Sequence, residues 1–219
     1  MKKYLFLVLL FLPLNYLNAQ HEHLSITPDE AKQKLIDGNQ RFITQEPITK
    51  EYYVELQEAE KGQHPYAVVL TCSDSRVPPE IIFDESIGKI FVIRVAGNVI
   101  DQVTLGSIEY AVEHLGCSYV LILGHNHCGA VTATVKGGDN TPAVEEIARL
   151  IMPAIEKAKE ENKTGNDLID LAIIENINLQ IKYSIEMSEL LSHFVNDGKI
   201  KIAGGLYNIS TGRVEFLPD

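Results

Sequence analysis

The sequence predicts an α/β fold, a mainly parallel central β-sheet with flanking helices, on three observations. Short unbroken apolar runs at Ala67–Leu70, Phe91–Ile93 and Tyr119–Leu123 read as strands buried on both faces. Segments with helical apolar spacing alternate with them. Each run ends in residues suited to turns or to chemistry: Thr71-Cys72, Gly97-Asn98 and Gly124-His125.

Residues 1–19 stand apart from that pattern. Lys2 and Lys3 precede an apolar stretch from Tyr4 to Leu12 that Pro13 closes, and Asn18-Ala19 offers a small residue for cleavage. The stretch is much shorter than the roughly 20 residues of a spanning helix, so it reads as an export signal. The alternative is an uncleaved anchor. Export predicts a periplasmic protein, with no stable membrane insertion after cleavage and residues 20–219 as a single catalytic domain.

After a polar lead-in, Thr27-Pro28-Asp29-Glu30 combines a capping threonine, proline at the first helical position and glutamate three residues after the cap. Ala31, Leu35, Ile36 and Phe42 then recur at helical spacing, predicting a helix over 28–43. Residues 44–63 read as a polar connection holding at most a short helix. The first two strands follow, then a helix between Thr104 and Gly116 and the third strand. A helix runs from Cys128 to Val135 and breaks at Gly137-Gly138. Two longer helices are expected near 142–160 and 167–194, then a strand at Ile200–Ala203. Arg213–Leu217 closes a hairpin across Ser210-Thr211-Gly212.

Composition narrows the function. With 45% hydrophobic and 22% charged residues in 219, disordered, collagen-like and coiled-coil chains are excluded. The net charge is −11; without residues 1–19 it is −13, from 17 basic and 30 acidic residues. That sign opposes phosphate neutralisation and argues against nucleic acid as a partner. Three cysteines are too few, and an odd number, for a disulfide framework, which favours metal binding or catalysis.

Cys72 follows the first strand; His125 and Cys128 follow the third. In a parallel sheet, the carboxyl ends of strands at a switch point form the ligand crevice. Two thiolates and an imidazole brought together there suit zinc with a fourth position open. A site assembled from two distant strand ends suits a catalytic metal better than a structural clip. Asp74, two residues past Cys72, could orient a water or take the fourth position itself. Arg76 could grip Asp74 through a two-pronged, charge-assisted pair.

These residues carry a family resemblance. CSDSRVPPE at 72–80 and EYAVEHLGCSYVLILGHNHCGA at 109–130 resemble the two signature segments of the β-class carbonic anhydrases. KLIDGNQRFI at 34–43, FVIRVAGN at 91–98 and GGLYNISTGRV at 204–214 support the match. The resemblance implies one Zn2+ per subunit on Cys72, His125 and Cys128, with Asp74 and Arg76 as the catalytic dyad. It implies reversible hydration of carbon dioxide to bicarbonate and a proton, by zinc-bound hydroxide oriented by that dyad, in a homodimer or homotetramer. A closed state, with Asp74 on zinc and Arg76 released, is a second arrangement. Hydrolysis of carbonyl sulfide or carbon disulfide on the same ligands is an alternative function, as are a non-catalytic zinc protein and a Cys72 thiol enzyme.

Other residues have plainer readings. His127 is a proton shuttle or a solvent-facing residue, and Cys117 is a small buried apolar one. Gly97-Asn98 lets the chain turn closely beside the site, or is an ordinary turn.

Overall fold

The computed structural model describes residues 26–218. The expected export signal lies outside them. Five strands form one sheet in the order β2-β1-β3-β4-β5: β1 Ala67–Thr71, β2 Ile90–Arg94, β3 Tyr119–His125, β4 Lys201–Tyr207 and β5 Val214–Phe216. The first four are parallel and β5 is antiparallel to β4. The chain leaves β1 for β2 on one side and returns to β3 on the other. A switch point therefore lies at the carboxyl ends of β1 and β3.

The unbroken apolar runs have a direct cause. Val68, Leu70, Val120 and Ile122 face one core layer, while Ala67, Val69, Leu121 and Leu123 face the other. Each fully buried aliphatic side chain contributes roughly 1.5–3 kcal/mol by leaving water. Helix α1 (Pro28–Thr44) covers the second layer with Ala31 and Leu35. Its capping box forms as expected: Glu30 N–H donates to Thr27 Oγ1 at 3.2 Å, and Thr27 N–H to Glu30 Oε2 at 2.8 Å. The polar connection contains the short α2 (Tyr52–Ala59).

The sequence reading missed α3 (Pro79–Ile82) and a 3-10 turn at Ala96–Asn98, both too short to show a period. Helices α4 (Gln102–Glu113), α5 (Gly129–Lys136) and α6 (Pro142–Glu160) lie where expected. The single helix expected over 167–194 is two, α7 (Gly165–Glu186) and α8 (Glu189–Asn196). Ser188 makes the break: its hydroxyl accepts the Leu191 N–H at 3.1 Å, capping α8, and donates to Glu109 Oε1 at 2.5 Å.

Strand β4 runs four residues beyond the expected Ala203, through Gly204-Gly205. Glycine weakens a strand signal, yet here it marks a close approach. A Cβ on either Gly124 or Gly204 would sit 2.7 Å from the Ile177 side chain, so the bare backbone lets α7 lie directly on β3 and β4.

Candidate metal centre

Three elements converge at the switch point. Cys72 leaves the end of β1, His125 is the last residue of β3, and Cys128 caps the start of α5. All three side chains are buried, and one ligand atom from each lies within 4.8 Å of the other two. The tight turn between the strand and α5 depends on His127, whose φ of 56° is left-handed. The His127 side chain points to solvent, and its carbonyl accepts from Arg76 Nη2 at 3.4 Å.

The polar groups around the cluster are oriented for a cation. His125 Nδ1 lies 2.9 Å from the Asn126 carbonyl. A proton on Nδ1 satisfies that contact and leaves the Nε2 lone pair free. His125 Nε2 is buried without a hydrogen-bond partner. Such an orphan is costly unless something absent from the protein atoms satisfies it. The two thiols interact strongly. The Cys128 thiol drives the Cys72 pKa down against burial, with the His125 ring and then the Gly97 N–H, 3.3 Å away, acting in the same direction. Cys128 is pushed up, first by its hydrogen bond to Cys72 and then by burial. The two shifts run in opposite directions because each thiol acts on the other, and a divalent cation between them would favour the thiolate form of both. Two thiolates and one imidazole nitrogen form a donor set that fits zinc.

Asp74 stands beside the cluster. Its Oδ2 is 3.9 Å from His125 Nε2, and it is paired with Arg76 rather than grouped with the three ligand atoms. Arg76 Nε donates to Oδ1 at 2.9 Å, Nη2 to Oδ2 at 2.7 Å, and the Arg76 backbone N–H to Oδ1 at 2.9 Å. These contacts hold the Asp74 pKa well below the ordinary carboxylate range, the Arg76 side chain contributing most.

All five residues singled out in the sequence thus come together. Sequence reasoning missed Arg94, whose Nη2 donates to the Asp74 carbonyl at 2.6 Å. Its signal was register: Arg94 pairs with Thr71, next to Cys72. Cys117 stays apart, buried and pushed up to about 12 by burial, with its thiol 3.4 Å from the Pro65 carbonyl.

A mainly parallel sheet with a Cys2His cluster and a carboxylate–guanidinium pair at its switch point defines an α/β enzyme of the metal-site kind. The family model described as "Carbonic anhydrase" matches residues 67–214. A carbonic anhydrase of Mycolicibacterium smegmatis is 36% identical over 194 residues, covering 86% of this chain and 93% of that one. One from Synechococcus elongatus is 32% identical over 201 residues, covering 83% and 70%. Among solved structures, the β-carbonic anhydrase CcaA superposes with a TM-score of 0.71 at 28% identity, covering 87% and 92%. The chain belongs to the carbonic anhydrase family, in its β class, and is an enzyme of that class.

Proposed function

We propose that this protein catalyses the reversible hydration of carbon dioxide with zinc held by Cys72, His125 and Cys128, and with Asp74 and Arg76 as its catalytic dyad. The observation that carries the reading is the buried Cys72–His125–Cys128 cluster with the Asp74–Arg76 pair at its edge. Zinc bound there supplies Lewis acidity, lowering the pH at which a water loses its proton.

The chain's own residues do the rest. Asp74, held ionised by Arg76, accepts a hydrogen bond from the attacking water and so directs its oxygen lone pair at the carbon. Arg76 fixes the carboxylate in that orientation, and Arg94 anchors the backbone of Asp74 from β2. Burial of the cluster shields it from bulk water. The proton released must reach solvent.

Stopped-flow carbon dioxide hydration on the zinc-loaded protein tests this, with Cys72→Ser as control. Activity abolished by both zinc removal and the substitution is expected. Turnover of carbonyl sulfide with carbon dioxide untouched would overturn the substrate assignment.

The reading includes export and self-association. The basic and then apolar start supports a signal over residues 1–19, with 20–219 as the mature catalytic domain in the periplasm; N-terminal sequencing of the exported protein tests this. No helix among the described residues is long and apolar enough to cross a membrane. A homodimer or homotetramer is supported by apolar side chains left exposed on and near α2, with Tyr53 75% and Ile81 60% accessible. Light scattering in solution gives the state.

A further inference from the structure

Helix α7 buries two amides on its sheet-facing side, where Ile173 and Ile177 otherwise fill the core. Asn176 is 1% and Gln180 0% exposed. One helical turn apart, they project from the same face. Buried amides persist in an apolar core only where their polar atoms find partners. Asn176 Nδ2 donates to the Gly97 carbonyl at 2.8 Å, and Gln180 Nε2 donates to Asn176 Oδ1 at 3.0 Å. Ile100 N–H donates to Gln180 Oε1 at 2.8 Å. The two side chains therefore hold both ends of the Gly97–Ile100 segment, some 80 residues away in the chain.

That segment touches the metal centre. Gly97 N–H points at Cys72 Sγ, 3.3 Å away. Gly97 adopts φ 71° and ψ 15°, and a Cβ there would lie 2.7 Å from Ile151 Cδ1, so the residue has neither a side chain nor an ordinary helical or extended conformation to hold it. On its upstream side, Val95 N–H is bound to the Thr71 carbonyl at 3.0 Å. On its downstream side, the Gly97 carbonyl is held by Asn176. Two torsions separate the Gly97 N–H from its carbonyl, so the Thr71 bond to Val95 upstream and the Asn176 bond to the carbonyl downstream are together what restrict the direction of the donor.

We propose that Asn176 and Gln180 are positioning residues for the metal centre, acting through the Gly97–Ile100 segment to keep the Gly97 N–H on Cys72 Sγ. The inference rests on Cys72 being a zinc ligand. An N–H donated to a ligating sulfur draws charge from it and fixes its direction, which tunes both affinity and the electronic character of the metal–sulfur bond.

The test compares the wild type with Asn176→Leu and with Leu191→Ala, a core truncation on α8 outside the clamp. Zinc affinity is read by chelator competition, and the sulfur-to-metal charge-transfer band is read after cobalt(II) substitution. Asn176→Leu is expected to weaken zinc binding about tenfold and to move the band. Leu191→Ala should lower stability and change neither. A folded Asn176→Leu protein with wild-type affinity and an unmoved band would overturn the inference. Should that variant not fold, Gln180→Glu serves the same readouts: it keeps the acceptor for Ile100 and loses the N–H given to Asn176. A smaller shift in the same direction is then expected, and an unmoved band with unchanged affinity overturns the proposal. A wild-type protein that takes up neither metal would overturn the metal reading itself, and this inference with it.

Discussion

Arg76 grips both oxygens of Asp74, with Nε 2.9 Å from Oδ1 and Nη2 2.7 Å from Oδ2. The planar fork of the guanidinium matches the carboxylate, so orientation and ionisation of Asp74 are set by one contact. Asp74→Asn reverses part of that pattern and removes the charge. It should lower kcat on the order of a hundredfold while zinc content stays at one per chain. Stopped-flow rates and metal analysis on the same preparation check both halves. Because the Asp74 pKa is depressed, the carboxylate stays ionised throughout neutral pH, and no inflection between pH 6 and 9 should belong to it.

Removing the metal should unfold the site as well as silence it. The cluster brings two thiols and an otherwise unpaired His125 Nε2 into one buried space, which a cation stabilises in the folded state alone. At free zinc a thousandfold above Kd, that linkage contributes about 4 kcal/mol. Thermal melts with and without chelator should separate accordingly, and Cys72→Ser should melt like the metal-free protein in both.

Asp84 makes a separate, pH-dependent contribution to stability. It is 3% exposed and paired with Arg41 Nε at 2.6 Å and with Lys50. Burial alone would raise its pKa, but the hydrogen bonds from Arg41, Lys50 and the Ile48 N–H outweigh this and leave it lowered. A depressed carboxylate stabilises the fold above its unfolded pKa of about 3.9 and loses that contribution as pH falls through the folded value. Asp84→Asn, which strands two cations, should cost about 3–5 kcal/mol at pH 7 in urea denaturation. The gap from wild type should narrow below about pH 4.

Asn39 ties α1 to the end of α3 and to the turn that leads into β5. Its Nδ2 donates to the Ile82 carbonyl at 3.1 Å and the Gly212 carbonyl at 2.8 Å, and its Oδ1 accepts the Val214 N–H at 2.8 Å. Asn39→Leu keeps the volume and strands three backbone groups, so a loss of about 2–4 kcal/mol is expected. Denaturant titration measures it. Zinc affinity of the folded fraction should be unchanged, since Asn39 makes no contact with the cluster.

Much of the site was legible because its chemistry is written in short segments. Cys72, Asp74 and Arg76 fall within five residues, and His125 and Cys128 within four; both segments follow apolar runs whose length marks them as strands. Arg94, Asn176 and Gln180 were not legible in that way. Arg94 reaches Asp74 only because β2 pairs with β1 in the register Thr71↔Arg94. Asn176 and Gln180 lie within a helix whose pattern gives no hint that two amides face the sheet.

By itself the sequence determined the α/β class, the strand cores, the cap of α1 and the five residues of the candidate centre. Caps, turns and apolar periods act within a few residues, so they survive reading along a line. Tertiary structure alone decided the strand order that creates the switch point, the division of α7 from α8 at Ser188, and the extension of β4 past Ala203. It also decided the clamp from α7 onto Gly97. Those outcomes depend on register and on how closely α7 can approach the sheet over Gly124 and Gly204, and such distances arise only when separate elements pack together.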